Sequence, residues 1–148
     1  MIDPIRVHLA INHFPIISLF IAVTVLLYGI LSDKRMIIQT GLAIVFFSGM
    51  VGIAVHFSGE EAEHALKSLA GTSEHFLEEH EELADAAFTS GLILSILSLG
   101  LFLIIQFTDR KIRTSLWLLV LCSLMVFGLY FTTAAHGGKI RHVELRER

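Results

Sequence analysis

The chain has 148 residues, of which 54% are hydrophobic and 17% charged, and a formal net charge of −3. Its mean hydropathy of +0.72 lies above that of ordinary soluble domains, and the acidic balance excludes a basic face for nucleic acid. A single cysteine, Cys122, excludes an internal disulfide and the CxxCH attachment of a covalent c-type haem; inside an apolar run it reads as a small buried hydrophobe.

Four apolar stretches follow one another, at 14–31, 36–57, 83–107 and 116–135. Each has the length that a helix needs to cross about 30 Å of hydrocarbon. Separate spans must satisfy their own backbone hydrogen bonds, which makes them helices. The fold class is therefore all-α, an integral membrane four-helix bundle in a single domain. The first helix is expected to start near residue 5, with Asp3 as N-cap and Pro4 in its first turn, and to run to 31 with a bend at Pro15. No small-residue cleavage site follows the first run, so it reads as a permanent span. The fourth span is expected to stop at Gly137-Gly138.

The connection at 32–35 and the one at 108–115 must share one side, and they carry Lys34, Arg35, Arg110, Lys111 and Arg113. The positive-inside rule puts that side in the cytoplasm, with both termini periplasmic in a bacterial inner membrane. The tail cations Lys139, Arg141, Arg146 and Arg148 count against this orientation. The 58–82 segment holds eight glutamates and one lysine. Gly59-Glu-Glu-Ala-Glu-His64 can prolong the second helix, Gly71 marks a break, and Thr72 or Ser73 can cap a helix that enters the third span. Helices two and three are thus expected to extend into an extramembrane hairpin.

All eight histidines, His8, His13, His56, His64, His75, His80, His136 and His142, fall on the side opposite the short basic loops. At about 1.5 Å per residue, His13, His56 and His136 come to one level, at the mouth of the bundle. His8, His64 and His80 come about two turns further out. Histidines from several helices at one level are how bundles build cofactor sites. Small-residue stripes lie beneath them: Gly49, Gly52 and His56 on the second span, Gly128, Thr132 and His136 on the fourth, and Ala84, Ala87 and Gly91 below His80. They leave room for a flat ring, or they serve close helix packing. His56, Glu60 and His64 share a helical face, and Glu79 and His80 add donors from the third helix, a mixed set that suits Zn, Fe or Mn. Lys139 and Arg141 follow His136 closely and can meet haem propionates or lipid phosphates. Asp85, one turn inside the third span, is a candidate proton acceptor. His75 and His142 read as surface residues.

The segment His8-Leu-Ala-Ile-Asn-His13-Phe14-Pro15-Ile16 resembles the opening His-Pro-x-x-x-His-Phe-Pro-Ile of a bacterial membrane family known as domain of unknown function 2231, with Leu9 in place of the family's proline. Gly49, Gly52, His56 and His80 match more loosely. The resemblance implies four spans with histidines near their ends. Fusion of some members to c-type cytochrome modules implies a periplasmic, redox-related role.

Three functions remain open on these residues. The first is a small b-type cytochrome that binds haem b through two of His13, His56 and His136, with Lys139 and Arg141 nearby, and exchanges electrons with quinol or a periplasmic cytochrome. The second is a non-haem Zn, Cu or Fe site drawn from His8, His13, His56, Glu60, His64, Glu79, His80 and His136. The third is an accessory subunit of a larger membrane complex, or a homo-oligomer. The lipid bilayer is a partner in each. No nucleophile motif or phosphate-binding loop points to a stand-alone enzyme.

Overall fold

The computed structural model describes residues 3–107, 112–140 and 142. Among the described residues five helices follow in order: α1 (Pro4–Ile11), α2 (Phe14–Leu31), α3 (Arg35–Lys67), α4 (Glu74–Phe107) and α5 (Arg113–Lys139). The second to fifth, with α1 continuing into α2, make four segments long and apolar enough to cross a membrane. The chain is a multi-pass membrane bundle.

The first helix starts as expected, with the Asp3 carboxylate accepting from the Ile5 N–H at 3.0 Å. It does not run through to residue 31. It ends at Ile11 and restarts at Phe14. Proline has no N–H to return to the carbonyl four residues back, and its ring crowds that turn; Pro15 therefore suits the first turn of a new helix, where no such bond is required. The break leaves Asn12 and His13 between the helices, facing the rest of the bundle's outer end.

Helices α3 and α4 have 33 and 34 residues, about 50 Å each, well beyond the hydrocarbon thickness. Their excess forms the expected hairpin. Gly71 turns it with a φ of +84°, a left-handed conformation that favours glycine. The Thr72 hydroxyl donates to the Leu66 carbonyl at 2.9 Å, and the Ser73 N–H reaches the Ile140 carbonyl at 3.4 Å, tying the turn to the end of α5. Helix α5 continues through Gly137 and Gly138 to Lys139, beyond the expected stop. The reason is packing: Gly137 lies under the His80 ring, where a methyl group would come within 3.0 Å of Cε1.

Around the bundle α2 packs on α3, α3 on α4, α4 on α5, and α5 closes on α2; α1 lies on α3. Leu19, Leu26 and Ile30 of α2, Leu42 and Val45 of α3, Leu94 of α4 and Leu119 and Val120 of α5 fill the centre. Buried serines bind helix to helix: Ser48 Oγ donates to the Pro15 carbonyl (3.0 Å), Ser95 Oγ to that of Phe46 (2.9 Å) and Ser98 Oγ to that of Leu42 (2.7 Å). Hydroxyl bonds and small residues are the means by which helices associate in lipid. Phe20, Phe47, Ile96, Met125 and Phe131 are exposed on the outside, the surface that faces lipid tails. Cys122 is also exposed there rather than buried, because a helix with lipid on one side places small apolar residues outward at no cost.

At the end that carries the short loops, Arg35 donates to the carbonyls of Ile105 and Gln106 at the end of α4, satisfying carbonyls that a helix terminus leaves open. Gln39 and Gln106 pair at 2.7 Å beside it. Arg110, Lys111, Arg141, Arg146 and Arg148 lie outside the described residues.

Candidate histidine-lined cavity

The hairpin end of the bundle encloses a cavity of about 630 Å³. Its walls come from every helix: Ile5 and Leu9 of α1, Pro15 and Ile16 of α2, Val55 and Ala62 of α3, Ala84 and Phe88 of α4, Ala134 of α5. His8, His13, His56, His80 and His142 line it, as do Glu60, Glu63, Glu81 and Asp85. An apolar pocket with a few convergent polar groups is the form small-molecule sites take.

His8 reaches the cavity from α1. Its Nδ1 lies 3.1 Å from Ser58 Oγ, and the Ser58 hydroxyl spends its one proton on the Val55 carbonyl at 2.8 Å. Ser58 must therefore accept from His8, which fixes the proton on Nδ1. Gly59 makes room for the ring, since a methyl group there would stand 3.3 Å from Cε1. His80 reaches the cavity from α4. Its Nδ1 donates to the Thr133 carbonyl of α5 at 2.9 Å, and a carbonyl can only accept, so the tautomer is again settled. The His8 ring also donates towards the Val55 carbonyl, and the Nε2 of His80 has no hydrogen-bond partner among the described residues.

His56 is held differently. Its ring stacks on Phe88 with centroids 4.2 Å apart and planes within 5°. Nε2 faces Glu60 at 3.4 Å and Nδ1 faces Asp85 at 3.8 Å. Both nitrogens are thus directed at carboxylates. His13, the residue before α2, is exposed at the cavity edge and makes no side-chain cap bond.

His136 does not line the cavity. Its Nδ1 donates to the Thr132 carbonyl of its own helix at 3.0 Å. The Gly128–Thr132–His136 stripe faces outward: Thr132 is exposed and nothing approaches Gly128 within 4 Å. The inward face of α5 carries Tyr130, Thr133 and Gly137 instead. Gly52 and Gly91, expected to clear space for a flat ring, make room for the Tyr130 phenol; a methyl group on Gly91 would collide with its hydroxyl. His64 is exposed and Glu79 faces His75 at 3.5 Å; neither lines the cavity. Lys139 sits 5.9 Å from the centroid of the Phe76 ring, and Arg141 lies outside the described residues. Among the described residues no three His, Cys, Asp or Glu side chains converge as a metal-binding group.

Sequence reasoning missed Ser58, Thr133, Phe88 and Tyr130. Only the run His56-Phe-Ser58-Gly59 carried a signal, a small polar residue and a glycine one turn beyond a histidine. No protein-family model, curated protein or solved structure matches the chain.

His80 stands on the extramembrane part of α4, before its apolar run begins. Burial pushes its pKa below the ordinary 6.5, the bond to Thr133 opposes the shift, and His136 adds to it. The folded state therefore holds His80 neutral where the unfolded chain would take a proton. Its contribution to stability is complete above pH 6.5 and is lost as pH falls from there towards the lowered value. Thermal unfolding in detergent should show a melting temperature that drops on acidification below pH 6.5, and His80→Gln should flatten that dependence. An unchanged slope in the variant would assign the acid sensitivity elsewhere.

Proposed function

We propose that the chain is a small membrane cytochrome whose cavity would hold one haem b, with His8 and His80 as the residues that would ligate it. The observation that carries the reading is the shared arrangement of these two histidines. Each comes from a different helix, each anchors Nδ1–H on a protein oxygen, and each lines the same cavity. Anchoring one ring nitrogen fixes the tautomer and orientation that a ligating imidazole needs. The pair differs from the His13, His56 and His136 set that depth alone favoured, since both His56 nitrogens face carboxylates and His136 lies outside the lining.

The donor set fits haem better than a bare ion. Structural zinc takes four protein ligands and catalytic zinc three, and no such group converges among the described residues. A porphyrin brings its own four nitrogens, so two imidazoles suffice. Bound haem supplies one-electron chemistry. The protein's part is to orient two imidazoles, to surround the ring with apolar side chains, and to keep the site at the hairpin end. Short-loop cations Lys34, Arg35 and Arg113 at the opposite end support a periplasmic site in a bacterial inner membrane. Kinship with the four-span family resembled at His8–Ile16 belongs to the same proposal.

The test is the visible spectrum of the detergent-purified protein, oxidised and reduced with dithionite, beside elemental analysis of the same sample. An intense Soret band with sharp α and β bands on reduction is expected. A colourless protein with stoichiometric zinc or copper would overturn the haem reading.

A further inference from the structure

The cavity has a lower level that the two anchored histidines do not occupy. His80 and Phe88 are eight residues apart, about 12 Å along α4, so the Phe88–His56 stack lies well below His80 towards the membrane. Lower still is the Tyr130 hydroxyl, beside Gly52, where a methyl group would lie 3.9 Å away. Tyr130 lines the cavity. Its hydroxyl makes no hydrogen bond among the described residues, yet it is not sealed in, whereas Asn12 Oδ1 is the buried side-chain atom left without a partner among them. A half-buried phenol with no partner in an apolar pocket is a group waiting for a polar ligand atom.

The Tyr130 hydroxyl lies against Gly91 and beside Gly52; Asp85 is six residues from Gly91, about 9 Å, and Glu60 eight residues from Gly52, about 12 Å, the span of a para-dihydroxybenzene with a hydrogen bond of about 2.8 Å at each end. The lower level thus has a polar floor at Tyr130 and a polar upper rim at His56, Asp85 and Glu60, with Pro15, Ile16 and Ala87 along the walls. The rim is rich in acceptors, because two carboxylates flank the imidazole at 3.4 and 3.8 Å. A ligand for this space is flat and apolar in the middle, polar at both ends, and a hydrogen donor at the rim. His13, at the level of His56, both lines the cavity and is exposed, so the cavity reaches the surface at the mouth of the bundle, where an alkyl tail can leave into lipid.

We propose that the lower level binds the head group of a membrane-borne para-hydroquinone, one hydroxyl on Tyr130 and the other on the His56–Asp85–Glu60 rim. A hydroquinone donates at the rim; the corresponding quinone offers acceptors only and meets the carboxylates without a hydrogen between them. As an electron source for the upper site this ligand rests on the cytochrome reading; as a binding site it stands without it.

The experiment is anaerobic equilibrium dialysis of the full chain in detergent micelles, with a decyl-substituted hydroquinone, its quinone, its dimethyl ether and decylbenzene as probes, and empty micelles as background. Saturable binding of the hydroquinone is expected, tighter than that of the other three. Tyr130→Phe and Asp85→Asn should each weaken it about tenfold, the worth of one good hydrogen bond, and helical content and melting temperature measured on the same samples show that both variants fold. Equal binding of all four probes, or of hydroquinone and quinone, overturns the proposal, as does an unchanged affinity in both folded variants. Saturable hydroquinone binding to a protein with no Soret band would refute the haem and sustain this site; a haem spectrum without hydroquinone binding would do the reverse.

Discussion

Alanine at Gly49 is expected to destabilise the bundle, while alanine at Gly128 is expected to stabilise it. Both glycines sit mid-helix, where exchange for alanine favours helix by up to about 1 kcal/mol. At Gly128 nothing lies within 4 Å, so that gain should appear undiminished. At Gly49 the new methyl group would stand 2.5 Å from the Ser95 Cβ and 2.9 Å from the Gly91 carbonyl oxygen. Backbone has to move, and overpacking of this kind costs about 1–3 kcal/mol. The displaced Ser95 would also lose its bond to the Phe46 carbonyl, adding to the loss. Gly41→Ala should behave like Gly49→Ala, since its methyl group would meet the Leu26 side chain at 2.6 Å and the Leu26 nitrogen at 3.0 Å. Denaturant titration in mixed micelles, followed by circular dichroism, measures the difference. Equal stability of Gly49→Ala and Gly128→Ala would mean that the α3–α4 contact is looser than the structure has it.

The contrast between these glycines explains what was legible beforehand. Apolar run length gave the four spans, and the glutamate-rich stretch with Gly71 gave the hairpin, because both follow from the solvent each residue faces. Pro15 predicts a bend where the structure has a break at Asn12–His13, since proline alone does not say whether its neighbours will restart a helix or continue one. Helix rotation was not legible in α5. Its outward stripe Gly128–Thr132–His136 and its inward stripe Tyr130–Thr133–Gly137 both carry small and polar residues, and with lipid as apolar as the core, hydropathy cannot choose between them. Nothing in the sequence therefore separates His136, which lies outside the lining, from Tyr130, which belongs to it. His8 and His80 were recognised as outer-level donors, yet what singles them out is the hydrogen bond behind each ring, to Ser58 and to the Thr133 carbonyl, and such bonds depend on helices that are distant in sequence.

Those bonds make the axial assignment separable by mutation. If His8 and His80 ligate haem, replacing either with alanine should abolish the low-spin spectrum, because the cavity would then offer one of the two ligands. Ser58→Ala should act more gently. It leaves both ligands in place and removes only the acceptor that orients His8, and losing such a supporting bond weakens ligation by about 10–100-fold. The spectrum should then form at higher haem concentration with its band positions kept. His136→Ala should leave binding unchanged, since that ring bonds within its own helix and lies outside the lining. His56→Phe is the discriminating control: it keeps a ring against Phe88 and removes both nitrogens. Titration of haem into each variant, read in the Soret region, orders the set. If His56→Phe or His13→Ala abolished the low-spin bands while His8→Ala and His80→Ala kept them, the anchored tautomers would be structural straps between helices, α1 to α3 and α4 to α5, and the ligands would lie at the membrane level instead.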